Sequence, residues 1–450
     1  MKNINFYLPL IALLSISQVF AQRVLTLEES KQLALQNNCK IKNSSLEIEA
    51  AQQTKKAAFT NFFPSISASG AMFKAQKDLL EISTQGGNLP VYDGKDLSTL
   101  STATQFAYMP ASTMGLLKSG TFGIITVVQP IFAGGRIWNG NRLASLGEDV
   151  SEYKNRLSQN EVILKTEEQY WLVVSLNEKN KTIQRYEELL NSLRAQVEDA
   201  YTSGIVMKND MLKVKLKRSE ILLNKSKLEN GRKLATMAFC QYIGIPFDST
   251  LVLKDSLAVN DLPETYYVDH AEALNNRSEY HLLQASVRAE ELQSNMKFGE
   301  YLPQAAVGVS ELYMKIDESK DRTLGMVFGT VSIPISGWWE ASHTLQERSI
   351  KEKIAQNNLQ DNSELLMLQM QKAWQDFSDA YKQVLLSEEA KAQAEENLKV
   401  NQDSYTNGMI SVADLLEAQA LQQQMNDQVT DAKASYRSKQ ITYLQVTGRQ

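Results

Sequence analysis

Two acidic residues near the end of the chain have a spacing that would let them attract cations together. Asp414 and Glu417 are three positions apart, so a helix places both carboxylates on one face. Neighbouring carboxylates focus a negative potential that attracts cations and repels anions. The same two residues are also compatible with an ordinary solvated helix surface. The corresponding positions earlier in the chain hold Asp210 and Lys213, so the two places are not equivalent.

Other residue types that perform chemistry lack the spacing of a site. His270, His281 and His343 are scattered without the intervals of metal ligands. Cys39 and Cys240 are too few for a disulfide framework or a zinc site, although an oxidising compartment would allow a bridge, and the sequence leaves that pairing open. We find no nucleophile with its base and no phosphate-binding glycine loop. The sequence therefore predicts no enzyme, no metal site and no cofactor.

The composition of the chain limits the classes of protein to which it can belong. The chain has 450 residues and 43% hydrophobic content, enough for a large packed structure. Its formal net charge of -5 argues against a nucleic-acid partner. Nine prolines and 21 glycines are few for this length, which favours long helices.

The first residues have the pattern of a secretory signal peptide. A short basic start precedes an apolar run from Ile4 to about Ser17, and small residues surround Ala21. A transmembrane anchor is the alternative, but the run is short for a hydrocarbon core of about 30 Å. We therefore predict that residues 1–21 are removed and that the mature chain is exported.

The mature chain contains an internal repeat. Phe63-Pro64 matches Leu302-Pro303 at a separation of 239 positions, whereas Tyr201-Thr202-Ser203-Gly204 matches Tyr405-Thr406-Asn407-Gly408 at 204 positions. The difference of 35 positions indicates an insertion in the first copy. Residues 84–119 are rich in Gly, Pro, Ser and Thr, so this insertion is predicted to be a long exposed loop.

Each copy is predicted to run helix, strand, strand, long helix, tight turn and returning helix. The first repeat covers 22–250, with strands at about 62–76 and 119–132 and a helical hairpin at about 136–246. The second repeat covers 251–450, with strands at about 303–315 and 324–335 and a hairpin at about 338–448.

The strand candidates have the length that a membrane-spanning strand needs. Residues 121–132 and 324–335 are rich in Val, Ile, Thr and Phe, and each is about ten residues long, as a tilted transmembrane strand requires. Buried strands of a soluble sandwich fit the same pattern equally well. Four strands by themselves are too few to enclose a pore.

The long helices carry the apolar spacing of a coiled coil. No proline interrupts the stretch from about Arg136 to Thr202, and apolar residues in its second half alternate intervals of three and four. They are Ile183, Tyr186, Leu190, Leu193, Val197 and Ala200. The returning helix at about 209–242 is only about half as long, so residues 40–60 are predicted to cover the rest of its partner.

Together these features resemble the TolC-like outer-membrane efflux proteins, also called outer membrane factors. The resemblance rests on the leader, the repeat of strands and long hairpins, the Gln-Pro-Ile-Phe-Ala-Gly-Gly-Arg stretch at 129–136, and the two turns followed by an aspartate. It implies a homotrimer whose protomers give four strands each to a 12-stranded outer-membrane β-barrel. It also implies that this barrel is continuous with a periplasmic α-helical coiled-coil tunnel.

The resemblance further implies a passive duct of a tripartite efflux or type I secretion system. Such a duct lies in the outer membrane of a Gram-negative bacterium, with a large periplasmic part. Its partners are a periplasmic adaptor (membrane fusion) protein, an inner-membrane RND or ABC transporter and outer-membrane lipid. The transported substrate and the particular pump are not readable from this sequence.

The resemblance also assigns roles to residues of the two turns. The acidic rings of the periplasmic entrance map onto Asp414 and Glu417, which a threefold assembly multiplies to six carboxylates. The gate contacts map onto Tyr405 and Asp210. A basic residue of this network in the family's best-known member is replaced here by Ile410, which implies a weaker or differently built latch.

The glycines of the two turns are explained by simpler chemistry as well. Gly204 and Gly408 suit helices that end in a left-handed conformation, which every helical hairpin needs in some form.

An exported structural coiled coil or a periplasmic adaptor without a pore is the competing class. Long coiled-coil helices alone permit either of these proteins. An adaptor would show one helical hairpin followed by all-β domains, whereas this chain has a strand pair in each repeat and ends on a second hairpin near Gly448.

Overall fold

The computed structural model describes residues 23–92, 94, 101, 103–259, 261–316 and 320–449. The signal peptide predicted at 1–21 lies outside the described residues. Helices hold 66% of the described residues and strands 17%, which confirms a mainly helical fold with a small β part.

The helices fall into long ones, which form the two hairpins, and shorter ones that precede the strands. They are α1 (Leu27–Asn37), α2 (Cys39–Phe59), α3 (Arg136–Thr202), α4 (Lys208–Tyr242), α5 (His270–Leu274), α6 (Ser278–Glu300), α7 (Gly337–Thr406) and α8 (Val412–Val446). Helices α3 and α7 have 67 and 70 residues, while α4 and α8 have 35 each. None of the helices in the described ranges is both long and apolar enough to cross a membrane.

The part of the chain that the structure describes contains four long strands and six short ones. They are β1 (Val24–Leu25), β2 (Ser65–Lys74), β3 (Leu80–Thr84), β4 (Gly87–Pro90), β5 (Phe106–Met109), β6 (Ser112–Leu116), β7 (Ser119–Ala133), β8 (Val252–Leu253), β9 (Gln304–Ile316) and β10 (Arg322–Ser332).

The chain divides into two compact units, and each draws on both predicted repeats. The helical unit comprises the described residues of 1–50, 149–285 and 356–450. The strand unit comprises the described residues of 51–148 and 286–355. The division into repeats at residue 250 stays a prediction.

The strand unit contains one antiparallel sheet in the order β10-β9-β7-β2. Its central strands β7 and β9 are paired along almost their whole length, with one register irregularity between Pro130 and Phe132. Strand β2 pairs only with β7 and strand β10 only with β9 among the described residues. The sheet therefore ends on two edge strands.

The two faces of this sheet differ only in degree of exposure, because Leu324 and Met326, on the face of Ser310, are themselves 55 and 59% exposed. Because side chains alternate along a strand, Gly308 and Ser310 share one face of β9, and both are buried. The other face, here called the outer face, carries large exposed apolar side chains. They include Ile66, Met72, Val327 and Val331, with exposed fractions of 73, 81, 81 and 72%.

The segment predicted as a long loop at 84–119 instead contains strands. Strand β3 pairs with β6, and β4 pairs with β5, so the segment forms two short antiparallel ladders between β2 and β7. The pairing escapes sequence reasoning because it joins distant residues, such as Ile82 and Met114, whose composition alone is typical of loops.

In the helical unit, α2 begins where α4 ends. The Asn38 side-chain amide donates to the carbonyl oxygen of Tyr242 at 3.0 Å. Ser44 Oγ then lies 2.6 Å from Asn155 Oδ1 of α3. These contacts confirm that residues following 40 cover the part of the long helix that α4 does not reach.

The second copy uses similar contacts between α6 and α7. Arg277, just before α6, donates from Nη1 to Gln369 Oε1 at 3.1 Å. Near the other end of α6, Arg348 of α7 reaches Glu290 at 2.9 Å and Gln293 at 2.8 Å.

The core of the helical unit is aromatic and is anchored by a buried tyrosine. The Tyr170 hydroxyl donates to Asp255 Oδ2 at 2.7 Å, and the same carboxylate oxygen accepts the backbone N–H of Leu27 at 2.8 Å. Phe239 packs edge-on against Tyr170. Asp255 therefore connects the start of α1 to the long helix α3.

The two cysteines are both free thiols. Cys39 is exposed, whereas Cys240 is buried, and burial raises the pKa of the Cys240 thiol.

Candidate functional site at the helical hairpin turns

Two turns, both in the helical unit, join the long helices to their returning partners. In the first turn, Gly204 adopts φ 74°, and the N–H of Ile205 donates to the carbonyl of Ala200 at 2.8 Å. In the second turn, Gly408 adopts φ 72°, and the N–H of Met409 donates to Ser404 at 2.9 Å. In each turn this bond satisfies a carbonyl of the last helical turn, and the glycine between the two bonded residues is left-handed.

The glycines are required by backbone conformation and not by lack of space. No atom lies within 4 Å of a Cβ built at Gly204 or Gly408. A left-handed φ costs an L-residue about 1–2 kcal/mol, which explains glycine at both places. Turn chemistry is therefore a sufficient reason for these two residues.

The returning helices begin differently. At the start of α8, Ser411 and Asp414 form a reciprocal cap: the Ser411 N–H and hydroxyl donate to Asp414 Oδ2 at 2.9 and 2.7 Å, and the Asp414 N–H donates back to Ser411 Oγ at 3.4 Å. At the start of α4, Met207 occupies the cap position and provides no side-chain hydrogen bond. Asp210 instead forms an ion pair with Lys213, with 3.3 Å between Asp210 Oδ1 and Lys213 Nζ.

The cap controls the charge of Asp414. The hydrogen bonds from Ser411 lower the pKa of the Asp414 carboxyl, and the positive charge of Lys213 lowers this pKa further. Asp414 is therefore ionised at neutral pH. Glu417 follows one turn later on α8 and is also exposed.

Tyr405 and Asp210 lie close enough to interact electrostatically. Tyr405 is half-buried in the last turn of α7, and burial raises the pKa of its phenol. The negative charge of Asp210 raises that pKa further, which is the sign of a nearby carboxylate. Among the described side chains no direct hydrogen bond joins the two residues. Ile410 is half-buried immediately before the Ser411 cap.

An apolar cluster holds the two turns together. Val412 and Leu415 of α8 are buried in the same cluster as Val197 of α3 and Val214 of α4, and Tyr405 packs against it. Lysine–carboxylate pairs connect the helices around this cluster, as Lys225 of α4 does with Glu187 at 2.7 Å. The packing between these helices therefore holds both turns in place.

Sequence reasoning missed one residue of this site, Ser411, and one relationship, the proximity of Lys213 to Asp414. Ser411 was detectable, because a serine three positions before an acidic residue is the signature of a reciprocal helix cap. The proximity of Lys213 to Asp414 was not detectable, since the two residues belong to different hairpins.

The described carboxylates of this site are not grouped as the ligands of a metal ion are. Among the residues with described positions, no group of three or more His, Cys, Asp or Glu side chains lies close enough to hold a metal ion. What the turns present to solvent is the ionised Asp414 and the exposed Glu417, which together create a locally negative surface.

Comparison with known proteins identifies the fold. No protein-family model matches the sequence, and no curated protein matches it. Solved structures do match: the outer membrane protein VceC of Vibrio cholerae, at 12% identity and TM-score 0.71, covers 94% of this chain and 96% of VceC. The CmeC outer membrane channel of Campylobacter jejuni matches at 14% identity and TM-score 0.71, covering 94% and 85%.

A third structure gives the same result. The MtrE outer membrane channel of Neisseria gonorrhoeae matches at 13% identity and TM-score 0.72, covering 94% of this chain and 89% of MtrE. At these identities the likeness concerns the fold, and at that level it confirms the resemblance found in the sequence. The chain therefore has the fold of the TolC-like outer-membrane channels.

Proposed function

We propose that three copies of this protein form a passive outer-membrane channel. The observation that carries the proposal is the four-stranded sheet that ends on two unsatisfied edges, β2 and β10. An exposed strand edge presents a row of unpaired N–H and C=O groups, each of which costs several kcal/mol in lipid. Pairing β2 of one copy with β10 of the next satisfies both edges and gives twelve strands from three protomers.

The symmetry of that contact favours a closed ring. The two edges are different surfaces, so their contact is head-to-tail, and a head-to-tail contact closes into a ring when the rotation per subunit fits. The outer face supports a position in lipid, because Ile66, Val327 and Val331 expose most of their apolar surface there.

The fold supports the wider role. The protein would conduct substrates delivered by an inner-membrane RND or ABC transporter and a periplasmic adaptor, in tripartite efflux or type I secretion. It would lie in the outer membrane of a Gram-negative bacterium, with the helical unit in the periplasm. The solved relatives CmeC and MtrE are described as outer membrane channels.

The hairpin turns would form the periplasmic entrance of the channel. Threefold symmetry places six carboxylates from Asp414 and Glu417 around the axis, where their combined potential favours cations. Tyr405 and Asp210 are the proposed gate contacts, and their electrostatic proximity within one protomer supports a shared role.

Purification in detergent followed by mass determination and planar-bilayer recording tests this proposal. We expect a particle with the mass of three mature chains and discrete conductance steps. A monodisperse monomer that is stable without detergent and forms no conducting pore would refute the channel and favour an exported coiled-coil protein.

A further inference from the structure

A groove of about 640 Å³ lies in the strand unit where helices give way to strands. Its walls come from the end of α2 and the first turns of α3. Phe59 and Trp138 line it with 55% and 64% of their surfaces exposed, and the rings of Phe59 and Phe62 lie 5.6 Å apart between centroids. The groove is therefore an open aromatic surface.

The groove and a second cavity of the strand unit are lined by different sides of α3. The second cavity is lined by Arg136 and Gly140 of α3 together with Thr330 of β10. Thr330 pairs with Ala306, which alternation places on the same face of the sheet as Gly308. Trp138 and Arg142 project from α3 well over 100° away from Arg136 and Gly140, at about 100° per residue.

The groove carries an excess of positive charge. Lys55, Lys56 and Arg142 line it with one carboxylate, Glu148. Lys55 binds Glu148 at 2.8 Å and so neutralises it. Lys56 lies within electrostatic reach of Glu148 without forming an ion pair, and Arg142 is exposed with no ion-pair partner among the described residues.

Aromatic rings and unpaired cations beside an apolar surface match one kind of ligand. Trp and other aromatic residues concentrate at the boundary of a bilayer, where lipid head groups begin. Lysine and arginine bind phosphate oxygens, and basic pockets next to membrane-spanning segments bind anionic lipid head groups. Phe63 lines the groove, and the apolar outer face, which suits acyl chains, begins three residues later at Ile66.

We propose that this groove binds the phosphate head group of an anionic membrane phospholipid, through Lys56 and Arg142. The glycerol backbone and the first carbons of the acyl chains would pack on Phe59 and Trp138, and the chains would continue along the outer face. This inference rests on the proposed function, because it requires the strand unit to lie in a membrane. It adds a lipid-binding site at the boundary between strands and helices.

Native mass spectrometry of the detergent-purified protein tests the inference. Delipidated protein is titrated with phosphatidylglycerol and, separately, with zwitterionic phosphatidylcholine. We expect tighter binding of phosphatidylglycerol. A cation near a lipid surface contributes about fivefold to binding, so the double variant K56A/R142A should weaken phosphatidylglycerol binding about 30-fold and leave phosphatidylcholine unchanged. The matched control K227A/K233A removes two exposed lysines from α4 and should change neither lipid.

The outcomes separate this inference from the channel itself. Equal phosphatidylglycerol binding by wild type and K56A/R142A would overturn the lipid site, even if conductance is normal. A K56A/R142A protein that loses its trimer mass would also overturn it, because the groove would then be a contact between copies. A trimer that conducts normally but has lost its preference for phosphatidylglycerol supports it. Wild-type protein that forms no pore would instead count against the proposed function.

Discussion

The two hairpin turns solve the same backbone problem with different side chains. Both long helices end on a left-handed glycine, Gly204 or Gly408, with equivalent closing hydrogen bonds. The second turn continues into a helix capped by Ser411 and Asp414, whereas the first has no side-chain cap at Met207. The repeated backbone thus carries two different electrostatic surfaces.

The difference shows which features the turn itself requires. Glycine is needed wherever the chain leaves a helix through a left-handed residue, so it recurs. The acidic residue that follows is not tied to one role: Asp210 is paired with Lys213, while Asp414 caps its own helix. No ion pair to Glu417 is found among the described residues, so the second turn keeps a negative charge there, and we expect the two turns to respond differently to mutation.

Replacing either turn glycine should have the largest effect on stability, and the effect should be the same at both turns. Gly204→Val and Gly408→Val each force a β-branched residue into a left-handed conformation, so each should lower stability by about 2 kcal/mol. Thermal unfolding followed by circular dichroism measures this loss. Gly231→Ala within α4 is the control and should raise stability, by up to about 1 kcal/mol, because glycine is unfavourable inside a helix. A tolerated valine at one turn only would show that the two backbones are not equivalent.

Removing the side-chain cap should lower the stability of the protein at the second turn only. Ser411→Ala deletes the two hydrogen bonds of the Ser411 hydroxyl at the start of α8, leaves the backbone N–H bond to Asp414, and should cost about 1 kcal/mol. Met207→Ala at the equivalent place should change stability little, since Met207 makes no side-chain cap. The same unfolding assay compares the pair, and equal losses would contradict the asymmetry described above.

Neutralising the carboxylates should affect ion selectivity unequally. In planar bilayers, Asp414→Asn combined with Glu417→Gln should move the cation-to-anion permeability ratio toward one, because the entrance loses its negative potential. Asp210→Asn should change the ratio less, since Lys213 already balances that charge. Unchanged selectivity in the double variant would show that these carboxylates do not line the entrance.

Acid should remove the smallest contribution, that of the Asp414 charge. The folded-state pKa of Asp414 lies below its ordinary value of 3.8, so its ionised form stabilises the fold above that pH. This contribution is lost as the pH falls through the lowered pKa. The stability difference between wild type and Asp414→Asn should therefore be constant from pH 7 to about 5 and shrink below about 4. A difference that persists at lower pH would assign the effect to shape instead of charge.

Local patterns explain which parts of the fold were predictable. The long helices and their turns follow from apolar spacing and glycine, which act within a few residues. The ladders between β2 and β7 were missed because pairs such as Ile82 and Met114 meet only in the folded chain. At the site, Asp414 was found by spacing, whereas the influence of Lys213 on it depends on packing between separate hairpins.

Disulfide trapping between the sheet edges tests the central claim most directly. In a background of Cys39→Ser and Cys240→Ala, Ala68→Cys on β2 is combined in turn with a cysteine at Val327, Gly329 or Val331 on β10. We predict that at least one pair gives a covalent trimer on a denaturing gel, while the control of Ile125→Cys on the interior strand β7 with Val331→Cys gives none. Monomers with every pair, from protein that is otherwise folded, would contradict closure of the sheet by neighbouring copies.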